Sequence, residues 1–207
     1  MLLFDHHTHN LQAPAGQAVI CLPRAVVAQP DTFQPRAGAR YSVGVHPWWV
    51  SAFAAISDDD VATLLEGTKR LAARPEVTAI GEVGFDRHTG YGAVHDLFFE
   101  AHAQLAATYH KPLIIHCVKA FDRLLFWRKQ LPRLDDAPWY VHGFRGKPAL
   151  ARQLLEAGIG LLFGPQAQAE TLRLFRPDEL RLETDDSGLT IEEVAQRISY
   201  LLGSAGT

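Results

Sequence analysis

Residues 77–118 begin with Val77-Thr78-Ala79-Ile80-Gly81-Glu82-Val83 and end with Pro112-Leu113-Ile114-Ile115-His116-Cys117-Val118, and a helical pattern from Val94 separates the two apolar runs. A helix between two short apolar runs predicts a β-α-β unit with parallel strands. The same rhythm recurs along the chain, and we predict eight strands, at 2–9, 18–22, 41–46, 77–83, 112–118, 138–143, 159–163 and 181–185. This count indicates an α/β fold, a (β/α)8 barrel of the TIM type.

Helices are predicted after the last six strands, and they begin near Asp58, Val94, Ala120, Lys147, Ala169 and Thr190. Thr190-Ile191-Glu192-Glu193 has the spacing of a capping box. The first two strands lie too close together for a helix, and Pro23, Pro30 and Pro35 interrupt the segment after the second. We therefore expect a compact barrel whose first βα units are abbreviated. An open doubly wound sheet is the alternative, although the chain has neither a GxGxxG fingerprint nor a P-loop.

The size and composition of the chain narrow its class. With 207 residues, of which 47% are hydrophobic, it suits one domain over residues 1–207. The formal net charge of -3 gives no basic surplus, so nucleic-acid binding is neither implied nor excluded. Cys21 and Cys117 form no CxxC pair, which favours a reducing, cytoplasmic setting. Neither a signal peptide nor a membrane helix is predicted, and no protein partner is predicted either.

The first strand ends in Asp5-His6-His7-Thr8-His9. Alternate side chains of a strand share a face, so Asp5, His7 and His9 are predicted to project together. Two imidazoles at one strand end can reach the same metal ion. The alternative is a tag remnant or a solvated histidine patch, and the apolar residues before Asp5 favour the strand.

Four later strands also end in a possible ligand, at the carboxyl end where barrel enzymes carry their catalytic residues. These residues are Glu82, His116, His142 and Asp185. With His7 and His9 they form a set of four imidazoles and two carboxylates, which suits zinc, manganese, iron or nickel. A single histidine at a strand end is more often a hydrogen-bonded rim residue, so the prediction depends on all six residues occurring together.

These motifs resemble those of the TatD family of metal-dependent deoxyribonucleases and related hydrolases. The resemblance is carried by Asp5-x-His7-x-His9, Gly44-Val45-His46-Pro47, Ile80-Gly81-Glu82-Val83-Gly84-Phe85-Asp86, Pro112-Leu113-Ile114-Ile115-His116, His142-Gly143-Phe144 and Glu183-Thr184-Asp185. It implies a barrel and two divalent ions, zinc, manganese, magnesium or nickel. One ion would be held by His7, His9, Glu82 and Asp185, and the second by Glu82, His116 and His142.

The departures from the family pattern concern the substrate. Cys117-Val118-Lys119 stands where Ser-Arg-Asp is common, so an arginine that could face phosphate is missing. His95 occupies the place of a usual glutamine, and Asp186-Ser187 replaces Ala-Pro. We expect substrate contacts from His46, Lys119 and Arg145, of which the two basic residues are candidates for the missing cation.

The ligand set predicts a metal-activated water, with Asp185 accepting its proton and Glu82 bridging the ions. The predicted reaction is hydrolysis of a phosphodiester, with DNA as a candidate substrate. The enzymatic alternative is hydrolysis of a C–N or lactone bond by an amidohydrolase-type barrel, many of which use a carbamylated lysine as the bridge. Glu82 occupies that place here. The third hypothesis is a metal-binding relic without activity, and the complete ligand set argues against it.

Several other residues have a structural interpretation. Trp48 and Trp49 are expected to pack over the abbreviated front of the barrel, in preference to stacking on a base. Alternation puts Cys117 on the opposite face from His116, as a buried structural thiol. Glu183 is expected to form hydrogen bonds within the barrel, one layer below Asp185. Four histidines around the helix after the fourth strand are interpreted as surface or packing residues: His88, His95, His102 and His110.

Overall fold

The computed structural model describes residues 3–50, 56–131 and 136–203. Its eight strands follow the predicted order: β1 Asp5–Thr8, β2 Ala18–Cys21, β3 Arg40–Val43, β4 Val77–Asp86, β5 Leu113–Val118, β6 Trp139–Val141, β7 Ile159–Phe163 and β8 Arg181–Leu182. Each strand pairs in parallel with the next. Asp185, three residues beyond β8, forms an isolated parallel bridge with Thr8 of β1, which brings the end of the sheet back to its beginning. The predicted barrel is therefore confirmed.

The helices lie after the strands, as α1 Arg24–Ala28, α2 Asp58–Ala72, α3 Ala93–Tyr109, α4 Phe121–Gln130, α5 Pro148–Glu156, α6 Ala169–Leu172 and α7 Ile191–Gly203. The last six begin within one residue of the predicted positions. Residues 9–17 contain no helix, and β2 is followed only by the five-residue α1 and a 3-10 turn at Pro30–Thr32. The front of the barrel is thus abbreviated, because Pro23 and Pro30 bound α1 at both ends.

Local capping fixes where two helices begin. Thr190 N–H donates to Glu193 Oε2 at 2.7 Å, and Glu193 N–H donates to Thr190 Oγ1 at 3.2 Å, which confirms the capping box before α7. Ser57 caps α2 by accepting from Asp60 N–H at 3.1 Å. Capping at these positions satisfies backbone donors that have no partner within the helix.

The core has two layers. The larger layer joins the outer faces of the strands to the helices, and it includes Ile20 and Ile115 together with Phe99 and Leu154. The smaller layer contains strand residues only, so it fills the barrel interior. Its members are Val19, Ala79, Ile114 and Leu162, with Phe4 and Tyr140 packed against them. Inner and outer residues alternate along β2 and β5, as the two-residue period of a strand requires.

A bulge in β4 breaks this alternation at Glu82. Ile80 pairs with Leu113 and Val83 pairs with Ile115, so β4 holds one extra residue between the two pairs. Val83 therefore joins the outer core beside Ile80, and Glu82 turns towards the interior. Gly81 permits this path, because its φ is +121° and a Cβ at that position would lie 2.3 Å from Ile114 O.

Candidate metal centre

Glu82 is the centre of a histidine cluster at the carboxyl end of the barrel. Its side chain is 1% exposed, and its carboxylate lies within 3.3 Å of a ring nitrogen from each of five histidines: His7, His9, His46, His116 and His142. Oε2 faces the first two rings, and Oε1 faces the other three. One carboxylate is thus divided between two groups of imidazoles, which is the arrangement that a bridging ligand requires.

Strand geometry explains how distant residues reach this cluster. His116 lies two residues after Ile114 of the inner core, and His142 lies two residues after Tyr140. Because a strand repeats every two residues, each histidine continues the inward-facing row of its strand into the layer above the apolar core. His7 comes from β1, and Glu82 joins the layer through the bulge in β4.

Asp185 lies at the rim of the cluster, and its side chain is 29% exposed. Its Oδ1 is 3.7 Å from His7 Nε2 and 3.6 Å from His9 Nε2, and its Oδ2 is 3.9 Å from His142 Nδ1. These distances exceed hydrogen-bond length and leave space between the carboxylate and the rings. The backbone of Asp185 is held by the barrel seam, where its N–H donates to His7 O at 3.0 Å and its O accepts from His9 N–H at 3.1 Å.

All six residues predicted as ligands therefore meet in one place. Ligand atoms lie within 4.8 Å of one another in four groups: His7, His9 and Asp185; His7, Glu82 and His142; His9, Cys21 and Glu82; and His46, Glu82 and His116. His46, predicted as a substrate contact, thus lies within the cluster, where it is 3.0 Å from Glu82 and its ring packs against that of His116 at 4.6 Å. His142 appears in a group with His7, and its Nε2 also lies 3.3 Å from His116 Nδ1.

The charges of the cluster compensate one another. Burial raises the pKa of Glu82, but the surrounding imidazoles, His142 foremost, outweigh burial and hold that pKa well below its ordinary value. Burial lowers the pKa of His142, but the charge and hydrogen bond of Glu82 together with the charges of Glu183 and Asp185 outweigh it, so that the pKa rises to about 10. Burial dominates at His7 and lowers its pKa. Hydrogen bonding to Glu82 raises the pKa of His9. The site accordingly combines an ionised carboxylate with at least one neutral imidazole.

His7 shows that these residues fit a divalent metal ion. Its ring is fully buried, and neither ring nitrogen has a hydrogen-bond partner among the described residues. A buried polar atom without a partner costs about 1–3 kcal/mol, so an imidazole is seldom placed in this way without a ligand. Its Nε2 lies 3.3 Å from Glu82 Oε2 without a hydrogen bond between them. An unpartnered imidazole nitrogen beside a carboxylate oxygen supplies the mixed N and O donors that zinc or a similar ion uses.

Asp86 supports the cluster from behind His116, a contact that strand-end reasoning missed. Its Oδ2 lies 3.2 Å from His116 Nε2 and accepts from Trp48 Nε1–H at 2.8 Å. A carboxylate on the second ring nitrogen orients a histidine for metal binding. The signal was present in the sequence, because Asp86 closely follows the predicted strand 77–83 that carries Glu82. It was missed because three residues separate Asp86 from Glu82 and the predicted strand ends before it.

Trp48 lies at the mouth of the site, and the packing interpretation is wrong for it. Its side chain is 61% exposed, and its ring contacts those of His46 and His116 at centroid distances of 5.0 and 5.9 Å. The hydrogen bond to Asp86 holds the indole at the rim, where most of its surface stays exposed. Trp49 does pack against the core, as expected.

A cavity of about 100 Å³ opens beside Asp185, and Arg145 and Gln166 line it. The Arg145 guanidinium donates to Gln166 Oε1. The structure thus places one of the two predicted cations next to the candidate base. Lys119 is exposed and follows directly after β5 with a φ of 53°, so it too lies at the carboxyl end of the barrel.

The remaining histidines are surface or packing residues, as expected. His88 and His110 are exposed, and His95 and His102 are buried. His102 accepts from Val45 N–H at 3.0 Å and donates to Phe98 O at 2.7 Å, which anchors the chain next to His46.

Glu183 and Cys117 also occupy the positions predicted for them. Glu183 is fully buried and accepts from Gly143 N–H, and burial raises its pKa to about 8. Cys117 belongs to the outer core, on the opposite side of β5 from His116.

A protein-family model described as TatD related DNase matches residues 32–190. The chain belongs to the TatD family. The 3'-5' ssDNA/RNA exonuclease TatD of Erwinia billingiae is 36% identical over 155 residues, which cover 70% of this chain and 56% of that protein. The protein of the same name from a Pantoea species is 35% identical over 160 residues, with 70% and 56% covered. The chain thus spans little more than half the length of these curated relatives.

Two solved structures share the fold. A TatD homologue from Escherichia coli K12 has a TM-score of 0.62 at 20% identity, over 97% of both chains. A TatD family hydrolase from Entamoeba histolytica has a TM-score of 0.63 at 15% identity, over 89% of this chain and 73% of that one. TatD proteins depend on metal ions, and the cluster around Glu82 offers ligands for them. Among the described residues no helix has the length and apolar character needed to cross a bilayer.

Proposed function

We propose that this chain is a divalent-metal-dependent hydrolase that cleaves phosphodiester bonds of nucleic acid, with Glu82 and Asp185 as its catalytic residues. The observation that carries the proposal is the buried Glu82 carboxylate divided between two groups of imidazoles. The names of the relatives, single-stranded DNA and RNA exonucleases, support the choice of substrate.

Two ions, zinc, manganese, magnesium or nickel, fit the donor set. His7, His9, Glu82 and Asp185 would hold one, and Glu82 and His116 would hold the second with His142 or His46. Bound ions supply Lewis acidity, which lowers the pKa of a coordinated water and stabilises charge on phosphoryl oxygens. Glu82 would bridge the two ions, and it holds the five imidazoles around one carboxylate whose pKa they keep well below its ordinary value.

Asp185 is the proton acceptor in this mechanism. Its carboxylate is partly exposed, whereas Glu82 is buried and fully engaged by imidazoles. A proton taken up at Asp185 Oδ2 can pass to solvent through the open rim. A general base of this kind contributes about 10²–10⁴ to the rate.

The rim provides contacts for a nucleotide. Trp48 offers an exposed aromatic ring whose centroid lies within 6 Å of those of the His46 and His116 rings, where a base can stack. Arg145 lies on the other side of Asp185 and can contact a phosphate, in place of the arginine missing after His116. Lys119 is the second candidate for that contact.

The two alternatives receive less support. In an amidohydrolase with a carbamylated lysine the bridge is a modified side chain, and here the five imidazoles already converge on Glu82. A relic without activity is disfavoured because Asp86 retains the contact that orients His116. A carboxylate that orients a metal-binding histidine has no function in a protein that no longer binds the metal.

The test is hydrolysis by the purified wild-type protein after metal removal and reloading. We expect release of nucleotides from an end-labelled single-stranded oligonucleotide with manganese, magnesium or zinc, and no release after chelation. A panel of lactones and amides is run in parallel. Hydrolysis of lactones or amides without release of nucleotides from any oligonucleotide would support the amidohydrolase alternative. If no substrate is hydrolysed, the protein is a metal-binding relic without activity.

Trp48→Ala is expected to reduce kcat/KM on a single-stranded oligonucleotide by about 10-fold, because stacking on one base contributes about 1–3 kcal/mol. Trp48→Phe keeps the ring and should stay within about 3-fold of the wild type, although it loses the hydrogen bond to Asp86. Steady-state rates with an intact end and with an abasic end measure the effect, which should vanish for the abasic end.

Tyr200→Ala is the matched control, because Tyr200 is another exposed aromatic residue, 74% exposed on α7. Equal losses for Trp48→Ala on intact and abasic ends would show that Trp48 acts only through Asp86.

A further inference from the structure

Cys21 ends β2, and its side chain faces the barrel interior. Val19, two residues earlier, belongs to the apolar layer inside the barrel, and alternate residues of a strand share a face. The same two-residue step links an inner-core residue to a site histidine in two other strands: Ile114 to His116 and Tyr140 to His142. Cys21 therefore occupies in β2 the layer that supplies metal ligands in β5 and β6.

The Cys21 sulfur lies close to other side-chain atoms that can bind a metal ion. Cys21 Sγ, a ring nitrogen of His9 and a carboxylate oxygen of Glu82 all lie within 4.8 Å of one another. Cys21 is 5% exposed, so solvent does not compete for this position. Metal–sulfur and metal–nitrogen bonds of about 2.3 and 2.0–2.1 Å can span the group after small side-chain movements.

His7 independently indicates that a ligand binds beside Glu82. It is fully buried with no hydrogen-bond partner for either ring nitrogen among the described residues, and its Nε2 lies 3.3 Å from Glu82 Oε2. His9 Nε2 lies 3.1 Å from that same oxygen. His7 and Cys21 thus both lie beside the pair formed by His9 and Glu82, and a set of mixed N, O and S donors suits tetrahedral zinc.

We propose that Cys21 is a thiolate ligand of the ion held by His9 and Glu82, and that this ion is zinc and not magnesium or manganese. The inference rests on the metal-dependent function proposed above and adds a ligand to its site. As the sulfur–metal bond forms, the thiol proton passes to solvent. Thiolate is a soft ligand that selects zinc over the oxygen-seeking ions, so the chain would retain zinc in the presence of excess magnesium.

X-ray absorption at the zinc edge tests the proposal on the zinc-loaded wild-type protein. We expect a sulfur scatterer at about 2.3 Å beside nitrogen and oxygen at about 2.0–2.1 Å. The cobalt-loaded protein should show a thiolate-to-cobalt charge-transfer band in the near ultraviolet. Cys21→Ser should lose both signals and weaken zinc binding by at least about 10-fold, since even residues behind the ligands contribute 10–100-fold.

Cys117→Ser is the matched control, because Cys117 is also buried but lies in the outer core. It should keep both signals. A wild-type spectrum with nitrogen and oxygen alone would overturn the proposal, as would a sulfur signal that survives Cys21→Ser. If Cys21→Ser does not fold, the wild-type spectrum and Cys117→Ser decide.

These outcomes separate the ligand from the function. Oligonucleotide hydrolysis by a zinc site without sulfur would overturn the role of Cys21 and leave the proposed function in place. A sulfur signal in a protein that hydrolyses no phosphodiester would support Cys21 as a ligand and overturn the proposed function.

Discussion

Glu82→Gln is expected to reduce the metal content below about a tenth of the wild-type value and the rate of oligonucleotide hydrolysis by at least about 10³-fold. Gln preserves the shape of the side chain and removes its charge. Glu82 contacts all five imidazoles, with both carboxylate oxygens within 3.3 Å of ring nitrogens. Loss of a single group that stabilises charge at a transition state already costs about 10²–10³, and here the ions themselves depend on the residue.

Metal analysis by mass spectrometry and single-turnover rates measure the two effects. Glu156→Gln is the matched control, because it makes the same change on the exposed end of α5. Glu82→Asp keeps the charge on a side chain one methylene shorter, so partial metal retention is expected. Thermal unfolding of the chelated proteins reports any loss of fold separately. Metal content and rates for Glu82→Gln within about 3-fold of the wild type would contradict the central role of this carboxylate.

The strands were predictable because apolar runs and turns repeat with a fixed rhythm, and the strand order followed from parallel pairing. The front of the barrel was harder to predict. Prolines at 23, 30 and 35 exclude a long helix, but they do not exclude α1, which begins directly after Pro23 and has five residues. A proline at the start of a helix lacks a backbone N–H, but an N–H at that position would have no partner within the helix. Prolines therefore limit the length of a helix without preventing a short one from forming.

Strand alternation predicts the orientation of some residues of the metal site but not that of Glu82. Strand alternation correctly separated His116 from Cys117, since β5 is regular at that point. The same rule applied to β4 would put Glu82 on the outer face with Ile80, because a bulge of one residue reverses the side on which every later side chain lies. The prediction of Glu82 as a ligand therefore came from its place near the end of the fourth strand. Its inward orientation is explained only by the shifted pairing register between β4 and β5.

The exposure of Trp48 was not predictable, because it depends on one hydrogen bond from its indole to the Asp86 carboxylate at the end of β4. The sequence-based expectation for the two consecutive tryptophans is packing over the abbreviated front, and of the two only Trp49 packs against the core. The position of Cys21, in contrast, was predictable. Cys21 lies two residues after Val19 in the second strand, so the two side chains share a face, but only histidines and carboxylates at strand ends were considered as ligands.

Asp185→Asn is expected to slow oligonucleotide hydrolysis by about 10²–10⁴-fold with little change in the thermal unfolding temperature. The barrel seam uses the backbone of Asp185, whose N–H and O bond to His7 and His9. The side chain makes none of these bonds and stays 3.6 Å or more from the nearest ring nitrogens, so Asn fits the same space. The loss is therefore that of a proton acceptor and of one anionic ligand, and the fold is kept.

Rates under single-turnover conditions, at saturating metal, isolate the chemical step from metal affinity. Asp178→Asn is the control, because Asp178 is 70% exposed and pairs only with the neighbouring Arg176 at 3.4 Å among the contacts given by the structure. If saturating metal restores the Asp185→Asn rate to within about 3-fold of the wild type, the carboxylate acts only as a ligand and another group must take the proton. Persistent loss at saturating metal makes Asp185 the base, since no other carboxylate of the cluster combines contact with His7 and His9 with access to solvent.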